Sequence, residues 1–357
     1  MNKLFPKIIR PLPDEILSSW IHRAFLSNID RKYNGLARLT SVQDPDFADN
    51  ELTYQVLQSA FKYPQQCCAT LLPASNFWIS PIKYRFSYCR YCIWDDILDG
   101  HHPAYRKQWA YRWSVVCLKH QCPLVALDRY IETNADTVRQ AASILVKNNE
   151  LNKRPYLPPL SYLLMLSSTH SYCGYIYVAA YFQKWLSDQI KSPCIVMPNG
   201  QNVSGDHFFD MLDAVTLSMM RRTCKHEEFI SQAYSYLPPR KWPGLQGDNS
   251  PLKIPLDIDI ASLDPRDKAG FLAFIGILID IPMCKVAWRL VSKNNPNFLF
   301  PDGKSLFPED HRHLQHLILT KMENSMNPLK NMVSSWFKLN LHDHIGLRET
   351  SFFERSP

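Results

Sequence analysis

Apolar residues recur at helical spacing along most of this chain, and prolines break the pattern at intervals. Asp14 and Glu15 open a stretch in which Ile16, Leu17, Trp20, Ile21, Ala24 and Phe25 share one face, which predicts an amphipathic helix over 14–27. Leu52, Val56, Leu57 and Phe61 predict a second helix over 51–61. Tyr63-Pro64 breaks it, and 65–72 is able to form a third. Two short helices across a tight break suit a helix-turn-helix, and they equally suit a small helical bundle that touches no DNA. Further helices are predicted over 134–147, 160–168, 172–189 and 206–235, where Met and aromatic stripes read as core.

Residues 237–256, with five prolines and two glycines, form the clearest linker. Asp264-Pro265 then supplies an N-cap and a first-turn proline for a helix carrying Phe271, Leu272, Phe274, Ile275, Leu278 and Ile279. Ile281-Pro282 interrupts it. In the helix predicted over 283–293, Lys285, Arg289 and Lys293 fall at i, i+4 and i+8, with Val286, Ala287 and Leu290 assigned to the opposite face. This is the pattern of a helix-turn-helix with a basic second helix, and also that of a solvated lysine face. Helices near 308–324 and 327–339 complete the expected C-terminal bundle.

Between the helical regions the pattern changes. Lys83, Tyr84, Arg85, Phe86 and Tyr88, and later Tyr111, Trp113, Val115 and Val116, suit short strands. Each leads into a ligand pair: Cys89-Arg-Tyr-Cys92, then 24 residues, then Cys117-Leu-Lys-His120. Each pair turns two side chains onto one ion, and the spacer brings the second pair back to close a tetrahedral cage. Three thiolates and an imidazole fill all four positions, so the zinc ion they imply is structural and has no open position for a reactive water. Segment 81–131 then reads as a zinc ribbon, in which the ion replaces a core that so few residues cannot build.

Composition adds little to this picture. The chain has 357 residues, is 46% hydrophobic and 20% charged, and holds 26 prolines but 11 glycines, which argues against glycine-rich barrels and phosphate loops. The net charge of +7 is spread over both halves and permits contact with phosphate backbones without requiring it. Of the ten cysteines, those outside the ligand set (67, 68, 122, 173, 194, 224 and 284) read as small buried hydrophobes of a reducing compartment. No apolar run approaches a membrane span, so a soluble cytoplasmic protein is expected.

Catalytic motifs are missing. Gly303-Lys304-Ser305 lacks the upstream glycine of a phosphate loop, since Phe298 stands in its place. His311, His313 and His316 beside Asp310, and Cys224 beside His226, have no second ligand pair at a suitable distance. No nucleophile elbow or His-Glu-x-x-His run occurs, and no catalytic residue is assigned.

Two blocks in order resemble the TniQ family. The first is Leu12-Pro13-Asp14-Glu15-Ile16-Leu17-Ser18-Ser19-Trp20-Ile21-His22-Arg23. The second comprises Tyr88-Cys89-Arg90-Tyr91-Cys92, then Tyr105-Arg106-Lys107-Gln108-Trp109, then Cys117-Leu118-Lys119-His120-Gln121-Cys122-Pro123-Leu124. The resemblance covers about the first 130 residues; the remainder is similar only as a helical C-terminal region. Many TniQ relatives carry a further cysteine pair just after this point. Val125-Ala126-Leu127-Asp128 lacks it, so one structural Zn2+ is expected.

The resemblance implies a non-catalytic adaptor of bacterial DNA transposition. It would link an RNA-guided Cascade complex and its guide RNA to a TnsC-type AAA+ ATPase, and would act as a homodimer near target DNA. The alternative is a TnsD-like selector that binds a fixed chromosomal site directly. A metal-dependent nucleic-acid enzyme is the contrasting class.

The expected fold is mainly α in four parts: a helix-turn-helix-like domain over 1–80, the zinc ribbon over 81–131, a helical domain over 132–240 and a C-terminal helical domain with a second helix-turn-helix-like unit over 241–357. The ligands are Cys89, Cys92, Cys117 and His120. Candidate nucleic-acid or partner contacts are Arg85, Arg90, Arg106, Lys107, Arg112, Lys285, Arg289 and Lys293.

Overall fold

The computed structural model describes residues 10–27, 44, 46, 78–127, 133–147, 159–189, 192, 194–220, 260–296, 298 and 327–339. The helices expected over 51–61, 65–72 and 308–324, the linker over 237–256 and the part of the 206–235 helix beyond 220 lie outside the described residues. The fold is mainly helical. The chain divides into two compact units, Met1–Ser161 with Ala261–Pro265, and Tyr162–Ile260 with Arg266–Pro357. Among the described residues no single helix is long and apolar enough to cross a membrane.

In the first unit, α1 (Leu17–Ser27) buries Ile16, Leu17, Trp20, Ile21 and Ala24, the stripe its periodicity presents. A 3-10 turn (Ile82–Tyr84) leads to β1 (Ser87–Tyr88), α2 (Arg90–Leu98) and the short α3 (Lys107–Ala110). Three two-residue strands follow: β2 (Val116–Cys117), β3 (Cys122–Pro123) and β4 (Val125–Ala126). β1 pairs antiparallel with β4 and β2 with β3, so the cysteine-rich segment is laced by two minimal ladders. Isolated strands this short are not stable alone. They are held here by α4 (Asn134–Lys147), which packs on α1, α2 and β1. Its Val138, Ala141 and Leu145 face a core of Ile16, Tyr88, Ile93, Tyr105 and Trp109.

Helix α2 was not expected. Residues 83–88 and 111–116 were read as strands leading into the ligand pairs, but the first pair opens a helix. Cys89 holds the extended N-cap position of α2 and Cys92 lies in its first turn. A one-turn entry into a helix presents two side chains three residues apart to the same side, as a knuckle between strands does.

α5 (Leu160–Leu166) spans the division between the units. The second unit contains α6 (Ser171–Gln189), a β5–β6 hairpin (Cys194–Val196 and Asn202–Ser204) that sequence periodicity did not reveal, and α7 (Gly205–Met220). It continues with α8 (Pro265–Leu278), α9 (Pro282–Asn294) and α10 (Lys330–Leu339). α6 is buried on almost every side, which explains the absence of Lys, Arg, Asp and Glu through its first two turns. The axes of α8 and α9 turn by 115° across residues 279–281, where Asp280 adopts a left-handed backbone at φ 70°. That angle and turn length are those of a helix-turn-helix.

Candidate metal centre

Cys89, Cys92, Cys117 and His120 converge, with donor atoms all within 4.8 Å of one another. Cys89 and Cys92 come from the start of α2. Cys117 ends β2, and His120 lies in the turn before β3, where Gln121 takes a left-handed φ of 50° to close the hairpin.

The separations fit a single ion. A tetrahedron with metal–sulfur bonds of about 2.3 Å and a metal–nitrogen bond of about 2.1 Å has S–S edges of about 3.8 Å and S–N edges of about 3.6 Å. Cys92 Sγ lies 3.8 Å from Cys117 Sγ. His120 Nδ1 lies 3.5 Å from Cys89 Sγ, 3.3 Å from Cys92 Sγ and 3.7 Å from Cys117 Sγ. The four residues can hold one metal ion.

The electrostatics point the same way. Burial, together with contact with its neighbouring thiols, pushes the Cys89 thiol far up. Contact with Cys117 and Cys89, together with burial, does the same to Cys92, while contact with Cys89 and Cys92 pulls Cys117 far down. Thiolates this close in a buried site repel one another. A divalent ion reverses that logic and allows all three to ionise.

A carboxylate completes the site. Asp95, one turn beyond Cys92 on α2, places Oδ2 3.0 Å from His120 Nε2. Nε2–H donating to this oxygen leaves the Nδ1 lone pair facing the sulfurs. Lys119 Nζ donates to the same oxygen at 2.8 Å. Burial would raise the Asp95 carboxyl, but Lys119 and His120 outweigh it and hold the group below its usual value. Asp95 escaped the sequence reading because its relation to His120 depends on residues 90–98 being helical.

Cys122 lies opposite Cys117 in the β2–β3 register, with its sulfur 3.7 Å from Cys89 Sγ. It is fully buried, as read from the sequence, and places a fourth sulfur beside the three of the cluster.

Around the centre, the two blocks of the N-terminal half meet in a buried polar network. The Glu15 carboxylate accepts from Leu12 N at 2.8 Å and Ser19 Oγ at 3.1 Å, and pairs with Arg23. Ser19 Oγ in turn accepts from Tyr105 N at 2.8 Å, and Glu15 forms an antiparallel bridge with Arg106. Arg106 pairs with Asp96, whose other oxygen accepts from Ala104 N at 2.9 Å. Burial pushes the Glu15 and Asp96 carboxyls up, with Arg23 and Arg106 respectively opposing the shift.

A second node centres on Asp46. It accepts from Ser18 N and Ser18 Oγ, each at 2.7 Å, from Asn134 Nδ2 at 2.8 Å and from Arg85 Nη1 at 2.6 Å. Arg85 also reaches Asp44 at 2.5 Å and donates Nε–H to Ser80 O at 2.7 Å.

These nodes correct the expectation of phosphate contact for Arg85 and Arg106. Both side chains are buried and committed to carboxylates, Arg85 to Asp44 and Asp46 and Arg106 to Asp96. Neither is able to reach a phosphate without leaving a buried acid unpaired. Arg90, Lys107 and Arg112 are half-buried around the same segment. On α9, Lys285 is half-buried and pairs with Asp280, while Arg289 and Lys293 are exposed.

Comparison with protein-family models, with curated proteins and with solved structures finds no match to this chain.

Proposed function

We propose that this protein is a non-catalytic target-selection adaptor of DNA transposition, similar to the TniQ family. In this reading it joins an RNA-guided Cascade complex to a TnsC-type AAA+ ATPase. The observation that carries the reading is the internal consistency of the two blocks that resemble the family. Glu15, Ser19 and Arg23 from the first interlock with Tyr105 and Arg106 from the second, around the Cys3His cluster. Residues that appear as a pattern in the sequence thus have one shared physical role, which is to build a rigid platform.

The ion in this reading is Zn2+. Three thiolates and an imidazole at tetrahedral separations suit its soft, closed-shell preference. All four positions are protein ligands, so the ion supplies folding free energy and orients the segment. Cys89, Cys92, Cys117 and His120 hold it, and Asp95 orients the imidazole. The adaptor acts near target DNA, as a homodimer, and Arg289 and Lys293 of α9 are exposed.

Co-expression tests the assignment. The full chain, tagged, is expected to retain Cascade subunits with guide RNA, and separately the AAA+ ATPase, through a high-salt wash. Absence of both from the purified protein would refute the adaptor role. Sequence-specific binding of a duplex by the isolated protein would replace it with the direct selector.

A further inference from the structure

The β2–β3 register brings one more sulfur to the cluster than four ligand positions require. Cys122 pairs directly with Cys117 across this antiparallel ladder. Residues directly opposite in such a pair project to the same side, so the donor Cys117 and Cys122 share a face. Cys122 Sγ thereby comes to 3.7 Å from Cys89 Sγ, with both residues wholly buried. In the free chain either sulfur is able to donate a hydrogen bond to the other.

That separation suits two roles, a ligand of the ion or a hydrogen-bond donor to a ligand, and His120 decides between them. Its Nδ1 lies 3.5, 3.3 and 3.7 Å from the sulfurs of Cys89, Cys92 and Cys117. His120, not Cys122, completes the set in which every donor lies within 4.8 Å of every other, and Asp95 holds its imidazole there. The four positions of a tetrahedron are then full. With an ion bound, Cys89 is a thiolate and has no proton to give. A fourth thiolate with no bond to the ion would be a buried, uncompensated charge beside three others. The proton between the two sulfurs therefore belongs to Cys122.

We propose that Cys122 is a positioning residue of the metal centre, its S–H donating to the Cys89 thiolate. The bond draws electron density from the bound sulfur and fixes the orientation of Cys89 Sγ toward the ion. Partners that orient a ligand in this way contribute about 10- to 100-fold in metal affinity. A thiol is a weak donor, so the contribution here falls at the low end, about tenfold. Cys122 acts in this way only if the metal assignment holds, and whether or not the chain serves transposition.

The test loads the full chain with Co2+, which accepts the same tetrahedral donors and, unlike Zn2+, reports on them through its spectrum. Cys122→Ala and Cys122→Val both remove the donor but differ in volume, so an effect common to both does not come from packing. Cys122→Ser keeps a donor and gives up the apolar atom. Wild type and all three variants are expected to bind one ion per chain with the same d–d bands, as an unchanged set of three sulfurs and one nitrogen requires. In Cys122→Ala and Cys122→Val the sulfur-to-cobalt charge-transfer band moves to longer wavelength, because the thiolate is richer in electrons. Chelator competition then gives an affinity about tenfold below wild type. Cys122→Ser is expected to lie closer to wild type in both measurements. If Cys122 served packing alone, Cys122→Ser would be the weakest binder, since a buried hydroxyl costs more than a methyl group. That order, or a charge-transfer band unmoved in Cys122→Ala and Cys122→Val, overturns the proposal. Altered d–d bands in those two variants overturn it as well and make Cys122 a ligand. A wild-type chain that binds no Co2+ would refute the metal assignment itself.

Discussion

Asp95 Oδ2 lies 3.0 Å from His120 Nε2, so the residue that orients the histidine comes from the same helix that begins with the first ligand pair. The metal centre and α2 therefore form together. An ion held there would rely on the helix to aim Asp95, and the helix begins at an N-cap, Cys89, that is itself one of the four candidate donors.

Removing the orienting carboxylate should be distinguishable from removing a ligand. Asp95→Ala is expected to keep one ion per chain but to weaken its affinity about 10- to 100-fold, because the imidazole loses its fixed tautomer. Cys89→Ser and His120→Ala are expected to lose the ion and the cooperative unfolding of the first unit. Chelator competition followed by elemental analysis separates the two classes. Undiminished affinity in Asp95→Ala would show that the contact with His120 is incidental.

The Arg106–Asp96 pair predicts an asymmetric mutational response. Arg106→Leu strands a buried carboxylate, with an expected cost of about 3–5 kcal/mol in urea unfolding. Asp96→Leu combined with Arg106→Leu removes the stranded charge and is expected to recover most of that loss. A double variant no better than the single one would mean that the Ala104 contact, not the charge, dominates.

Asp46 predicts a slope of stability with pH. Burial raises its carboxyl from 3.8 to about 6, with Arg85 opposing and Asp44 adding to the shift. The folded state thus binds the proton more tightly than the unfolded one. The contribution is fully present below about pH 4 and is lost as pH rises to about 6. Asp46→Asn does not titrate, so the difference in unfolding free energy between wild type and variant should change across that window and be flat above it. A difference that is constant with pH would contradict the assignment.

Gly174→Ala sets two effects against each other. Helix propensity favours the change by about 1 kcal/mol. Overpacking against Val291 Cγ1 at 2.6 Å opposes it by about 1–3 kcal/mol, and neither a buried β-branched side chain nor the ring of Phe298 is able to move aside cheaply. Net destabilisation is expected, with recovery on adding Val291→Ala. A more stable Gly174→Ala would show that α9 shifts easily on α6.

Much of the molecule was legible from residue spacing. The candidate donors stand in two short-interval pairs, Cys89 with Cys92 and Cys117 with His120, and that pairing was readable without the fold that brings the two pairs together across 24 residues. The helices over 134–147, 172–189 and 283–293 were equally plain, because amphipathic or wholly apolar runs express their period within a few turns. The β5–β6 hairpin was not, since three-residue strands carry almost no periodic signal.

Long-range partners were beyond reach of the sequence. Arg85 reads as a surface cation until Asp44 and Asp46, some forty residues earlier, are brought against it. The sequence set Val286 and Leu290 on the face opposite the cations, and only the notch that Gly174, more than a hundred residues earlier, leaves for Val291 shows that they face solvent. What the chain alone determined is chemistry set by neighbours in sequence: the two pairs of donor residues and the helical periods. What only the tertiary structure decided is which charges are neutralised inside and which apolar ridge faces out. Burial depends on what lies on the other side of a residue, and that is supplied by distant segments.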